Sequence, residues 1–202
     1  MPESSLRDRL VGVGVELVTR EGLDALSLRE IARAAGVSHG APRRYFPTHH
    51  ALLAAIAREG YTDLGRQVAV LLNGADADPY TQLLTLARLY LDFARTNQGM
   101  FELMFRHDLL RGNQMGLREH SRPLFGVLVT LIARARPALA GTPSAAVTAG
   151  ALWANLHGIA QLWQGGSLQM VVEIDDVEPL LRATLDAHLT GKKADSDHHS
   201  AV

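Results

Sequence analysis

Apolar residues recur three and four positions apart through most of the chain, and two-residue alternation is absent. Leu6, Leu10, Val13, Leu17 and Val18 share one helical face that should stop at Gly22. Leu28, Ile31, Ala32 and Ala35 repeat the pattern before Gly36. Thr48 can cap a third helix with Leu52, Leu53, Ile56 and Ala57 on its buried face, continuing weakly past Gly60 and Gly65 to Leu72. The run Asn73 to Pro79 reads as a loop. Beyond it, Leu83, Leu84, Ala87, Tyr90, Leu91 and Ala94 form a broad face ended by Asn97-Gln98-Gly99, and Met100 to Phe105 is dense in large soft side chains. After polar residues from Arg106 to Gln114, the spacing predicts helices from Leu117 to Ile132, from Ser144 to Gln164 and from Val177 to Leu189. The fold class is all-α.

The second of these helices carries the most specific local chemistry. Ser27 and Glu30 stand at capping-box spacing. Gly36 supplies a left-handed residue to end the helix, Val37 follows as a buried peg, and Ser38 offers a cap for a second segment, His39 to Tyr45. Pro42 is tolerated only in a first turn, so that segment must begin near Ser38. Two short helices around a glycine turn form a helix-turn-helix, whose second helix enters the major groove of DNA. Arg29, Arg33, Arg43 and Arg44 face a single anion, Glu30, with His39, His49 and His50 as further donors. The patch is basic although the 202-residue chain has a formal net charge of -1.

The string LREIARAAGVSHGAP, the pair Tyr45-Phe46 and ALLAAIA together resemble the DNA-binding domain of the TetR family of transcriptional regulators, over roughly Leu6 to Ala57. That resemblance implies a DNA-binding domain over 1–50 and a ligand-binding and dimerisation domain over 51–190; residues 191–202, polar and without apolar anchors, are expected to be disordered. It implies DNA contacts from Ser27, Ser38, His39, Arg43, Arg44, Tyr45, Thr48 and His49. Family members commonly carry Tyr where Arg43 stands and Lys near Thr48-His49-His50, so His49 puts a titrating group where the family has a permanent charge. Tighter operator binding at lower pH is the expectation.

WANLHG, Trp153 to Gly158, is similar to the Trp, His-Gly signature of one group of TetR-like C-terminal domains. Trp153, His157 and Gln161 follow one another four residues apart, and Tyr90, Phe93, Met100, Phe101, Met104 and Phe125 are the side chains expected to join them around an apolar cavity. Each alone reads as core, and only as a group do they suggest an adaptable apolar cavity. The resemblance further implies a homodimer on a palindromic operator, released by a small apolar effector, acting in the cytoplasm without a cofactor.

Composition narrows the remaining classes. The chain has no cysteine, which excludes disulfide frameworks and thiolate chemistry. No basic segment followed by an apolar run opens it, so a secretory signal is not expected. Pro137 to Val172 lacks every Asp, Glu, Lys and Arg, long enough to span a bilayer, yet its polar residues and glycines fit a helix buried against protein better. His49-His50 and His198-His199 lack the spacing of a metal site. An enzyme built on His157 would need a second titrating group that its helix does not carry, and His107-Asp108 has no nucleophile beside it. A protein-binding adaptor with the same helix-turn-helix is the other alternative to a regulator.

Overall fold

A computed structural model describes residues 5–73, 77–106, 116–136 and 143–190, and the regular structure among them is helical. The expected tail, the linker before Pro143, the centre of the Asn73 to Pro79 loop and the pair His107-Asp108 lie outside the described residues. The helices are α1 Leu6–Glu21, α2 Leu28–Ala34, α3 His49–Leu72, α4 Pro79–Thr96, α5 Gln98–Phe105, α6 Leu117–Ala135, α7 Ala145–Gln164, α8 Ser167–Val172 and α9 Glu178–Leu189. Two compact units divide them, one from residues 1–75 and 89–126, the other from 76–88 and 127–202, so α4 and α6 each supply both.

In the first unit α1, α3 and α5 pack on one another. Seven consecutive residues of α3, Ala51 to Ala57, are buried, so this stretch is covered on every side. Small residues set the separation. A Cβ on Gly60 would meet the Met100 and Met104 sulfurs at 2.7 Å, and one on Gly99 would enter the Val18 carbonyl. The α4 pattern does end where its apolar face runs out, but the break is a single residue: Asn97 leaves helical geometry and α5 begins at Gln98. Phe101 and Leu103 are then fully buried. Tyr61 of α3 donates its hydroxyl to the Met104 carbonyl at 2.9 Å, satisfying a C-terminal carbonyl of α5. Burial pushes that phenol up to about 12.

The second unit pairs α7 with α9, burying Leu152, Leu156 and Ala160 with Leu181 and Leu185. Ser144 caps α7 by accepting the Val147 amide at 3.3 Å. Polar links tie this unit together. Tyr80 donates to the Asp186 carboxylate at 2.8 Å, and Arg88 forms a two-pronged pair with Glu178. The Arg136 guanidinium reaches Thr148 Oγ1 at 3.2 Å and the His188 carbonyl at 3.3 Å. His188 Nε2 lies 2.7 Å from the Asn155 amide. The charge-free stretch contains one helix the periodicity did not predict: α8 follows the left-handed Gly166, and six residues are too few to display a period. Among the described residues no helix is long and apolar enough to cross a membrane.

Tyr61→Phe removes one buried hydrogen bond without a change of shape, and should lower unfolding free energy by about 1 kcal/mol in urea titrations. Burial first, and the neighbouring Arg136 second, hold His188 below the ordinary imidazole range. Its neutral form is therefore the folded one, and the unfolded chain takes up the extra proton as pH falls below about 6.5. Stability should therefore fall as the solution is acidified through and below about pH 6.5. His188→Gln, followed by thermal melts across that range, should flatten the acid limb.

Candidate DNA-binding surface

α2 has only seven residues and owes its stability to burial of Ile31 and Ala32. Ser27 Oγ accepts the Glu30 amide at 3.1 Å, which opens the helix as its sequence predicts. The reciprocal half of the capping box does not form. The Glu30 carboxylate turns instead to Arg33, accepting from Nε at 3.0 and 3.1 Å, and this bond lowers the Glu30 pKa while raising that of Arg33. Arg33 is thereby removed from the free positive charge of the patch.

At the helix end Gly36 adopts φ 66, the Val37 amide reaches the Ala32 carbonyl at 3.0 Å, and the Gly36 amide reaches that of Arg33 at 3.1 Å. These two bonds make a Schellman turn. Val37 is half-buried beneath it.

The second segment differs from expectation. It is a short 3-10 turn, Pro42–Arg44, where an α-helix from His39 to Tyr45 was expected. The Ala41 amide bonds the Ser38 carbonyl at 2.9 Å and the Tyr45 amide that of Pro42 at 3.0 Å, both three-residue steps. Pro42 has no amide hydrogen to give Ser38, and its ring opposes an α-turn there. Ser38 accordingly acts through its backbone and does not cap the turn with its side chain.

Pro42 and Phe46 are buried under this turn, with the Arg7 guanidinium 5.3 Å from the centre of the Phe46 ring. The opposite side carries Ser38, His39, Arg43, Arg44 and Tyr45, all exposed. Arg29, Arg43 and Arg44 form no ion pair among the described residues, so their charge faces solvent. Ser27 and Thr48 are exposed at the N-termini of α2 and α3, and Thr48 Oγ1 accepts the Ala51 amide at 3.1 Å. His49 points elsewhere. It is half-buried and its Nε2 hydrogen-bonds the Leu26 carbonyl; because a carbonyl only accepts, that nitrogen carries a proton committed to the fold. His50, the next residue, is exposed.

Of the side chains expected around an effector, six belong to the first unit and three to the second. Phe93 and Met100 line a cleft of about 610 Å³ in the first unit. Phe101 and Met104 are core, with Tyr90 set edge-on against Phe101 at 5.5 Å, and Phe125 is half-buried. Trp153, His157 and Gln161 belong to the second unit. They run beside the buried stripe of α7, leaving Trp153 39% exposed and Gln161 open to solvent. The Trp153 and His157 rings are 6.4 Å apart. Arg7, Glu16 and Glu59 on the cleft wall had no signal in the sequence, since they line it only once α1 lies beside α3.

A helix ended by a left-handed glycine, a second short segment anchored from below and three outward cations define a helix-turn-helix protein. Comparison with known proteins agrees. Residues 10–56 match the family described as bacterial regulatory proteins, tetR family, and residues 83–188 match that described as Tetracyclin repressor-like, C-terminal domain. The chain belongs to the TetR family of DNA-binding transcriptional regulators, whose members are not enzymes. It is 27% identical over 119 residues to the nucleoid occlusion factor SlmA of Glaesserella parasuis serovar 5 (strain SH0165), covering 54% of this chain and 56% of that one. The chain thus spans little more than half the length of the curated relatives it matches. A protein of unknown function from Rhodococcus sp. RHA1 superposes with a TM-score of 0.76 at 29% identity, covering 94% of this chain and 96% of the other. A TetR-family transcriptional regulator from Bordetella parapertussis 12822 superposes with a TM-score of 0.65 at 20% identity over 98% and 100%.

Alanine at position 36 must take the left-handed conformation that glycine adopts freely. Gly36→Ala should cost about 1–2 kcal/mol of stability by denaturant titration.

Proposed function

We propose that the protein is a ligand-responsive repressor that binds a palindromic operator as a homodimer. The observation that carries this reading is the exposed row Ser38, His39, Arg43 and Arg44 on a turn fixed from beneath by Pro42 and Phe46. Two arginines with no competing carboxylate can engage guanine edges or phosphates, and the neighbouring hydroxyl and imidazole add neutral donors. Ser27, Tyr45 and Thr48 are assigned to the phosphate backbone. His49 serves the fold through its bond to the Leu26 carbonyl rather than the operator.

Homodimerisation is assigned to α7 and α9. Val147 and Leu162 on α7 are 62% and 50% exposed, more apolar surface than a solvated helix face needs. Packing this pair against its copy makes a four-helix interface, and two-fold symmetry repeats the recognition turn at roughly 34–36 Å, one turn of DNA. A small effector with an apolar body relieves repression by binding the DNA-incompetent conformer more tightly. A cytoplasmic location goes with that role.

Selection of bound sites from a random duplex library, using purified protein at moderate salt, should return an inverted repeat. On the recovered site Arg44→Ala should weaken binding by about 1–3 kcal/mol if it reads a base, or reduce the salt slope by about 1 if it neutralises a phosphate. Recovery of no motif, with only salt-sensitive background, would favour a protein-binding adaptor instead.

A further inference from the structure

We propose that the cleft in the first unit is a binding site for an organic cation with an apolar body. Its volume of about 610 Å³ lies well inside the range of small-molecule pockets. Val11, Phe93 and Met100 give it an apolar floor. The walls carry three arginines and four carboxylates, and most of these are already engaged. Arg7 pairs with Asp8 at 3.6 Å and lies over Phe46, Arg66 pairs with Asp63, and Arg58 has a partner of its own. Glu16 of α1 and Glu59 of α3 are different. Neither makes a hydrogen bond or ion pair among the described residues, and with three arginines against four carboxylates the walls are net negative.

Gly12 forms part of the same wall and keeps it open. A glycine inside a helix weakens it relative to alanine, so each one invites a reason. For Gly14 the reason is contact: a Cβ there would collide with the Ile56 side chain. Gly12 meets nothing within 4 Å, and it lines the cleft one helical turn before Glu16. The space above it belongs to the cleft rather than to any neighbouring side chain.

The size and the donor set together choose the ligand class. Among the described residues no group of three or more His, Asp or Glu is placed to hold a metal ion, and the cleft is far larger than one. A cation bound here must therefore bring its own apolar surface to cover Val11, Phe93 and Met100 while its charge meets Glu16 and Glu59. Quaternary ammonium and phosphonium compounds have that form. This inference concerns binding to the protein alone and does not depend on operator recognition.

Tetraphenylphosphonium, titrated into the full chain by calorimetry without DNA, tests it. Saturable binding is expected, with much weaker binding of neutral triphenylphosphine oxide. The double variant Glu16→Gln/Glu59→Gln should lose about tenfold or more in affinity. Both side chains are exposed and nearly isosteric with their replacements, so the fold should persist. Gly12→Trp should fill the cleft and abolish binding, whereas Trp153→Ala, in the other unit, should leave it unchanged. No binding up to about millimolar probe, or equal affinity in the Gln double variant and the native chain, would overturn the proposal.

Discussion

The first unit depends on helix backbones approaching more closely than side chains ordinarily allow. Gly14 admits the Ile56 side chain between α1 and α3, Gly60 admits Met100 and Met104 between α3 and α5, and Gly99 brings α5 onto the Val18 carbonyl of α1. These contacts close a triangle of helices whose separations are fixed by the absence of a methyl group. Dense packing of this kind transmits displacement because it has few voids to absorb it. The helix-turn-helix is built on α1 and inherits that rigidity: α2 packs against α1, while Arg7 of the same helix covers Phe46.

The charge on the recognition surface is smaller than a count of arginines suggests. One of the four arginines is neutralised within its own helix by Glu30, and the imidazole of His49 is spent on the Leu26 carbonyl. What remains is concentrated on one turn. For a chain whose overall charge is near zero, that concentration is what can hold a polyanion in register.

The elements were legible in the sequence wherever the governing interaction is local. Ser27, Gly36 and Thr48 act within a few residues of themselves, and their caps and turn stand where the periodicity and capping residues put them. The errors came from competition that a string does not rank. Glu30 had two available partners, an amide behind it and a guanidinium ahead, and the charged one prevailed. Pro42 was recognised as a constraint, but its effect was to shorten the segment into a 3-10 turn rather than to mark a helix start. The cleft was least legible, because Val11 and Glu16 come from α1 while Glu59 and Phe93 come from α3 and α4. Of the aromatic and methionine set, Phe93 and Met100 line the cleft while Phe101 and Met104 are core.

The division into units has a consequence for synthesis. The first unit draws on residues 89–126, so α1, α2 and α3 emerge from the ribosome before the helix that covers them. Val18 must wait about eighty residues for Gly99. Until α5 emerges, α3 can pack on α1 but not on the helix that covers its other side, and the nascent chain is most exposed to chaperones and to self-association. For the same reason a fragment cut after α3 lacks the lid of its own core. Dissection of this protein into an autonomous DNA-binding piece should begin from a graft that restores α5, not from a simple truncation.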